Sequence, residues 1–466
     1  MKRFTLLPRV ILGLLLFVTG GRVSLAADTY VTNTVNGTTY TFKVTSTKDK
    51  TASVSLSKIG GTDLAKYTAS TDINLKASYS DGTYTSGDTV YTITSMEAMN
   101  RNTTIKTVEM PSTVTSLPNS CFDGCSALTT VSFPGLTTLP NNCFYGCTAL
   151  TSFSFTDIKT IGSLAFYNCS KLTDITIPSG ATVGQRAFQY CTGLKKLTIP
   201  KGTYNNRVFD GCTNVTDLVI HTGVYIEDKW TGHGCFGNMP SVTNVTLIDD
   251  DGDHTIPAYL FGCASFSTAG VNLTIPESIT AIGDYAFYNA NFPTKLDLSK
   301  FTSYGASAFE RNTAFKGNNG DGIIAVQKPT SATSDVKVGG RAFWITGATE
   351  IDIYPGVDYS GCGPVPTDKY YTTGNGPYNG TNINTIKFTD GITSVPDYVF
   401  LNASDIPSTC TVTWPSDPTH IGKGAFCGVQ FTGQLQKSVD ALGGGLTKIY
   451  CQVVYEERNK VCTFAT

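Results

Sequence analysis

Thiols and carboxylates are the side chains whose types and spacing here could do chemistry. The chain holds 14 cysteines. Cys121, Cys125, Cys143 and Cys147 form two equally spaced pairs, a set that a four-thiolate zinc site could use. The spacing continues singly at Cys169, Cys191 and Cys212, each three residues after a phenylalanine. That continuation favours a column of buried thiols acting as small apolar residues. Cys121, Cys143 and Cys235 precede a phenylalanine where other segments carry Ala, and read the same way. Cys451 and Cys462 fall outside the pattern and are the first disulfide candidates; a bridge between neighbours such as Cys121 and Cys143 is the other.

The run Asp249-Asp250-Asp251-Gly252-Asp253 sets Asp249, Asp251 and Asp253 at the alternate spacing of an acidic calcium loop. His254 stands where such a loop wants Gly, and Leu260 where it wants Glu, so a solvated acidic turn is the competing reading. His221, His233, His254 and His420 form no metalloprotease pair, and no Gly-x-Ser-x-Gly elbow occurs. Ser55-Leu-Ser-Lys58 matches Ser-x-x-Lys without its companion motifs, and no glycine-rich phosphate loop follows a strand. The expectation is a non-enzyme without catalytic residue, metal or cofactor. Charged residues make up 15% of the chain at a net charge of −2, with no Lys/Arg block, which excludes an electrostatic footprint for nucleic acid.

Binding is the remaining function class, and two surfaces are expected to carry it. Residues 355–384 place Tyr359, Tyr370, Tyr371 and Tyr378 among Gly, Pro, Asn and Asp. Tyrosine on a loop supplies contact area at low entropy cost, although a decorative loop fits as well. The second surface is the outward face of short strands, represented by Thr176, Thr198, Thr246 and Thr274.

A repeat must position these residues. Phe122, Phe144, Phe166 and Phe188 lie 22 residues apart, with Phe209 21 further on. Looser steps reach Phe236, Phe261, Phe287, Phe309, Phe343, Phe400 and Phe426. A period in the twenties marks a solenoid whose units bury an apolar face against their neighbours. Each phenylalanine is the knob of one coil. Strand centres recur with the same beat, from Val108-Met110 and Val131-Phe133 through Phe153-Phe155, Ile175-Ile177 and Leu296-Leu298 to Val412-Trp414. They predict one parallel sheet of about 60 Å, with turns and single helical turns around the Ala-Phe dipeptides. Gly184 is assigned to a turn. An ordinary β-sandwich also spaces its strands evenly, but does not repeat Ala-Phe-x-x-Cys in register.

The pattern Leu-x-x-Ile-x-Ile-Pro, Ile-Gly, Ala-Phe, x-x-Cys-Ser/Thr is seen in Leu172–Thr192, with Val183 in place of the Ile. It resembles the BspA-type leucine-rich repeat over about residues 100–428. The resemblance implies a mainly β leucine-rich-repeat solenoid with one long parallel sheet. It also implies a surface protein like the adhesins of mouth and gut bacteria and of some mucosal protists, which bind host matrix proteins or other cells. No ligand-contacting residue is carried over from that family. Phe236 lacks the following Cys, the Phe309 and Phe343 units are stretched, and Tyr204-Asn205 replaces Ile-Gly.

The ends complete the organisation. Residues 1–26 read as a signal peptide: Lys2, Arg3 and Arg9 precede the apolar run Val10–Val18, and Ser24-Leu25-Ala26 offers small residues for cleavage. The run is short for a membrane span; an uncleaved anchor is the alternative. Residues 27–100 are a β-rich N-terminal cap, 101–428 the solenoid with insertions near 310–322 and 355–384, and 429–466 a C-terminal cap. The expected product is a secreted or cell-surface adhesin-like protein with an extracellular protein ligand. A surface glycan-binding protein serving polysaccharide use is the alternative.

Overall fold

Valine and isoleucine alternating with threonine favour extended backbone, and the computed structural model is built almost wholly of it. It describes residues 29–48, 51–68, 72–87, 89–227, 234–250, 252–363, 375–414, 420–422, 425, 426 and 429. Among these the α-helix is limited to the single turn Leu75–Ser78. Two compact units divide the chain, Met1–Pro178 and Ser179–Thr466.

The first unit opens with a mixed sheet. Tyr30–Val35 and Thr38–Lys48 form an antiparallel hairpin around Asn36-Gly37, both at positive φ, as a tight two-residue turn requires. Thr51–Ile59 pairs with that hairpin on one side and, in parallel, with Thr89–Met96 on the other. Phe42, Val54, Leu56 and Ile93 are fully buried between them. A parallel ladder then starts: Asp72–Asn74 pairs with Thr107–Glu109, which pairs with Thr130–Ser132. The first ladder strand thus comes from residues before the first repeat phenylalanine. Phe122, Phe144 and Phe166 stack at centroid distances of 5.3 and 5.2 Å, all of them buried.

The second unit repeats this plan. Lys196–Ile199, Asp217–His221, Asn244–Ile248 and Asn272–Thr274 form one parallel ladder. Ile323–Val326, Glu350–Ile353, Thr385–Phe388 and Thr411–Thr413 form another. Knob stacks on knob from Phe188 to Phe309 at 5.0–6.1 Å. Rings stacked at this spacing bury their faces in each other; each contributes about 1.5–3 kcal/mol of transfer free energy.

Three details depart from the sequence expectation. The stretches around Phe153-Phe155, Ile175-Ile177 and Leu296-Leu298 keep inward apolar side chains but form no strand. At the first of these Phe153 and Phe155 pack on Phe166 at 5.4 and 5.5 Å, and the coil keeps one amide bond there, from Thr151 to the Thr129 carbonyl at 3.3 Å. The Ile-Gly segment, expected as a turn, carries a second parallel ladder, with Thr138–Leu139 on Thr160–Ile161 and Ala281–Ile282 on Ser303–Tyr304. Its glycine answers to a close approach rather than to a turn: a Cβ on Gly305 would lie 2.4 Å from the Asp284 amide nitrogen, and one on Gly162 2.6 Å from that of Asn141. Gly184 itself has no left-handed φ.

The third departure concerns the Ala-Phe segment, which is a run of turns, not a helical turn. The Phe122 and Gly124 amides donate across to the next coil, to the Cys143 and Tyr145 carbonyls at 2.8 and 2.7 Å. In most coils two residues sit in the left-handed region, one two before and one two after the knob, as at Leu164 and Asn168 around Phe166. Many are not glycine, including Leu164, Arg186, Tyr190, Tyr285, Arg311 and Ile345.

Candidate interaction surfaces

Pleating turns alternate residues of a ladder strand outward. Register then brings Lys196, Asp217, Asn244 and Asn272 side by side, and beside them Thr198, Val219, Thr246 and Thr274. Thr198 and Thr274 are exposed and Thr246 is half-buried. Asn244 donates to Asp217 at 2.9 Å and Thr216 donates to it at 2.6 Å; the Thr216 bond leads in holding this carboxyl below its ordinary range. Thr176 is exposed too, but on the stretch that forms no strand, so it lacks the ladder position expected of it.

Residues of the other ladder that the sequence reading passed over are charged. Glu350 and Asp352 project from one strand, and Asp352 faces Ala325 and Lys387 in register. Burial, then a hydrogen bond with Glu350, raises Asp352 to about 6. Its Oδ1 is buried and has no partner. The signal was the alternation Glu350-Ile-Asp-Ile353, in which both polar positions share a face.

Tyr359 and Tyr378, expected on a binding loop, are core residues instead. Tyr359 is 2% exposed and Tyr378 0%. Tyr378 occupies a knob position, stacked on Phe343 at 5.7 Å and packed on Phe400 at 5.9 Å, and Tyr378–Asn379 pairs with Phe343–Trp344. A whole coil was therefore hidden in the segment taken as an insertion, with Tyr in place of Phe. A phenol in the core needs a partner, and the Tyr359 hydroxyl lies 3.4 Å from that of Tyr378. Both phenols are raised by burial. Tyr370 and Tyr371 lie outside the described residues, as do residues 1–28, the caps' residues 430–466, Cys451 and Cys462.

In the acidic turn the described carboxylates engage protein donors. The Asp249 side chain is 3% exposed and takes hydrogen bonds from His254 Nδ1 at 2.6 Å and Thr222 Oγ1 at 3.3 Å. Its pKa is lowered, by Ser278 first and His254 next. Asp250 pairs with His221 Nδ1 at 2.8 Å. Among the described residues no group of three His, Cys, Asp or Glu is placed to hold a metal.

The cysteine column is buried, and its thiols have a second role that the spacing did not reveal. Cys125, Cys147 and Cys169 donate to the carbonyls of Met99, Phe122 and Phe144 at 3.2, 3.1 and 3.1 Å; Cys212 donates to that of Phe188 at 3.2 Å. Desolvation pushes these thiols up, Cys125 to about 12, which suits protonated donors to the carbonyls.

A family model for the BspA type leucine rich repeat region matches the chain at residues 92–216, 203–316 and 367–440, in six copies. The chain belongs to this family. No curated protein matches it. Among solved structures it is similar to a leucine-rich repeat protein from Bacteroides ovatus, at 19% identity over 67% of this chain and 93% of that one, with a TM-score of 0.31. It is also similar to a leucine rich cell surface protein from Faecalibacterium prausnitzii (18% identity, 78% and 95% covered, TM-score 0.29). A third likeness is to the pneumococcal vaccine antigen PcpA (14% identity, 84% and 98% covered, TM-score 0.37). None of the three is near enough to lend this repeat protein a ligand. No helix among its described residues is long and apolar enough to cross a membrane.

Proposed function

We propose that this leucine-rich-repeat protein is a secreted or cell-surface interaction protein, adhesin-like, that binds host matrix proteins or other cells and performs no catalysis. The observation that supports it best is the exposed ladder row from Lys196 to Asn272 with the Thr198–Thr274 row beside it. Such a face offers hydrogen-bonding groups at strand spacing over four coils, and offers a partner protein a rigid, pre-ordered surface. The signal-like residues 1–26 agree with export.

Immobilised matrix proteins and a glycan array, probed with the purified protein at low and high salt, test the reading. Saturable, salt-resistant binding to a matrix protein, weakened by Thr198→Arg with Thr274→Arg, is expected. Binding to glycans alone would replace it with the polysaccharide-associated reading, which now depends on Tyr370 and Tyr371, since Tyr359 and Tyr378 are core residues.

A further inference from the structure

The turns beside the knobs carry a second surface, and its composition points to a partner. In the second unit the residues flanking consecutive knobs include Tyr285, Tyr288, Arg311, Arg341, Trp344 and Ile345. The Arg311 and Arg341 side chains are 59% and 44% exposed. Both reach toward a single carboxylate, that of the buried Glu310, at 3.9 and 3.8 Å, longer than a hydrogen bond. Two guanidinium groups thus share one carboxylate, leaving a local excess of one positive charge. Arg341 also lies over the Trp344 ring at 4.7 Å, which fixes its fork in place.

Ile345 follows Trp344, is 36% exposed and holds φ at +54°. A β-branched residue in the left-handed region is a genuine outlier. Gly146, Asn168, Tyr190, Cys263 and Arg311 occupy the equivalent place after other knobs, and among the described residues at positive φ only Ile345 is β-branched. Here a strained backbone presents an apolar side chain to solvent, a pattern that clusters at binding sites. The row, exposed at Arg311 and Ile345 and half-buried at Tyr285, Tyr288, Arg341 and Trp344, combines Tyr, Trp and Arg, the residue types that dominate interface hot spots.

We propose that this surface binds an acidic peptide segment of a partner protein. Its carboxylates would take the free donors of Arg311 and Arg341, and an apolar side chain would cover Ile345. Ring faces argue against a sugar. Tyr285 stacks on Tyr259 at 4.8 Å and meets the edge of Tyr288 at 5.5 Å, while Arg341 covers one face of Trp344. The proposal rests on the reading of the chain as an interaction protein.

Selection of displayed random peptides on the full chain, counter-selected on Arg311→Gln/Arg341→Gln, tests it. Enriched peptides should carry Asp or Glu beside an apolar residue, and should bind less tightly as salt rises. They should lose at least ~10-fold in affinity on the double variant and ~3-fold on Ile345→Asn. Asn tolerates positive φ, so Ile345→Asn should melt no lower than the parent, which separates lost binding from lost folding. No enrichment, peptides without acidic residues, or equal binding to the variants would overturn the proposal. Matrix binding that survives both variants would remove this surface and leave the broader reading standing. Acidic peptides lost on the double variant, without any matrix binding, would do the reverse.

Discussion

The regular coils around Phe122–Phe166 and the stretched coils from Phe309 to Phe400 keep the same core and differ in nearly everything outside it. Knob centroids are 5.3 and 5.2 Å apart in the first region and 5.5, 5.7 and 5.9 Å in the second, although the second inserts long segments between knobs. Two residues past the knob stand Gly124, Gly146 and Asn168 in the first, and Arg311, Ile345, Gly380 and Asn402 in the second. Stacking fixes what must repeat, because each coil buries its face only against the next. The turn and the outer ladder face are free to vary, so specificity belongs there.

The largest effects should come from breaking the shared core. Phe166→Ala and Tyr378→Ala should each cost about 3–5 kcal/mol in denaturant unfolding. A small loss for Tyr378→Ala would return that residue to the binding loop and end the equivalence of the two regions. Tyr378→Phe, which removes only the hydroxyl facing Tyr359, should cost about 1 kcal/mol.

Glycine separates close approach from open turns. Gly305→Ala should cost about 2–3 kcal/mol, as its Cβ would meet backbone at 2.4 Å, whereas Gly180→Ala, at φ +81° with open space around it, should cost about 1 kcal/mol. Equal melting temperatures for the two variants would refute the account of the second ladder.

Asp352 gives the stretched region a pH dependence. Its folded pKa is raised, to about 6 from 3.8, so it stabilises the fold when protonated. That contribution is complete below pH 4 and is lost as pH rises through about 6. Asp352→Asn should flatten stability between those limits and gain about 1 kcal/mol at neutral pH, a figure reduced for solvent screening. A stability curve unchanged by the substitution would exclude it.

The smallest expected effect concerns a thiol. Cys169→Ala should cost about 1 kcal/mol by removing the thiol bond to the Phe144 carbonyl, which keeps the Cys147 amide as its other donor, and native protein should react with a thiol reagent at Cys169 only after unfolding. Rapid labelling of the native state would overturn the buried donor column.

The repeat was legible in the sequence because burial demands the same residue at the same place in every coil. Phe166 and Cys169 could be assigned from their offsets alone, and so could the ladder strands at Leu197-Ile199 and Leu218-Ile220. Composition misled at residues 355–384, where a tyrosine that takes a phenylalanine's place looks like loop chemistry until its neighbours are known. The register that sets Thr198 by Val219, the meeting of Arg311 and Arg341 over Glu310, and the pairing of Tyr359 with Tyr378 were decided by tertiary structure. Each joins residues 19 to 30 positions apart. A linear pattern fixes which face a residue takes, while contact across coils depends on how inserted segments return to the stack.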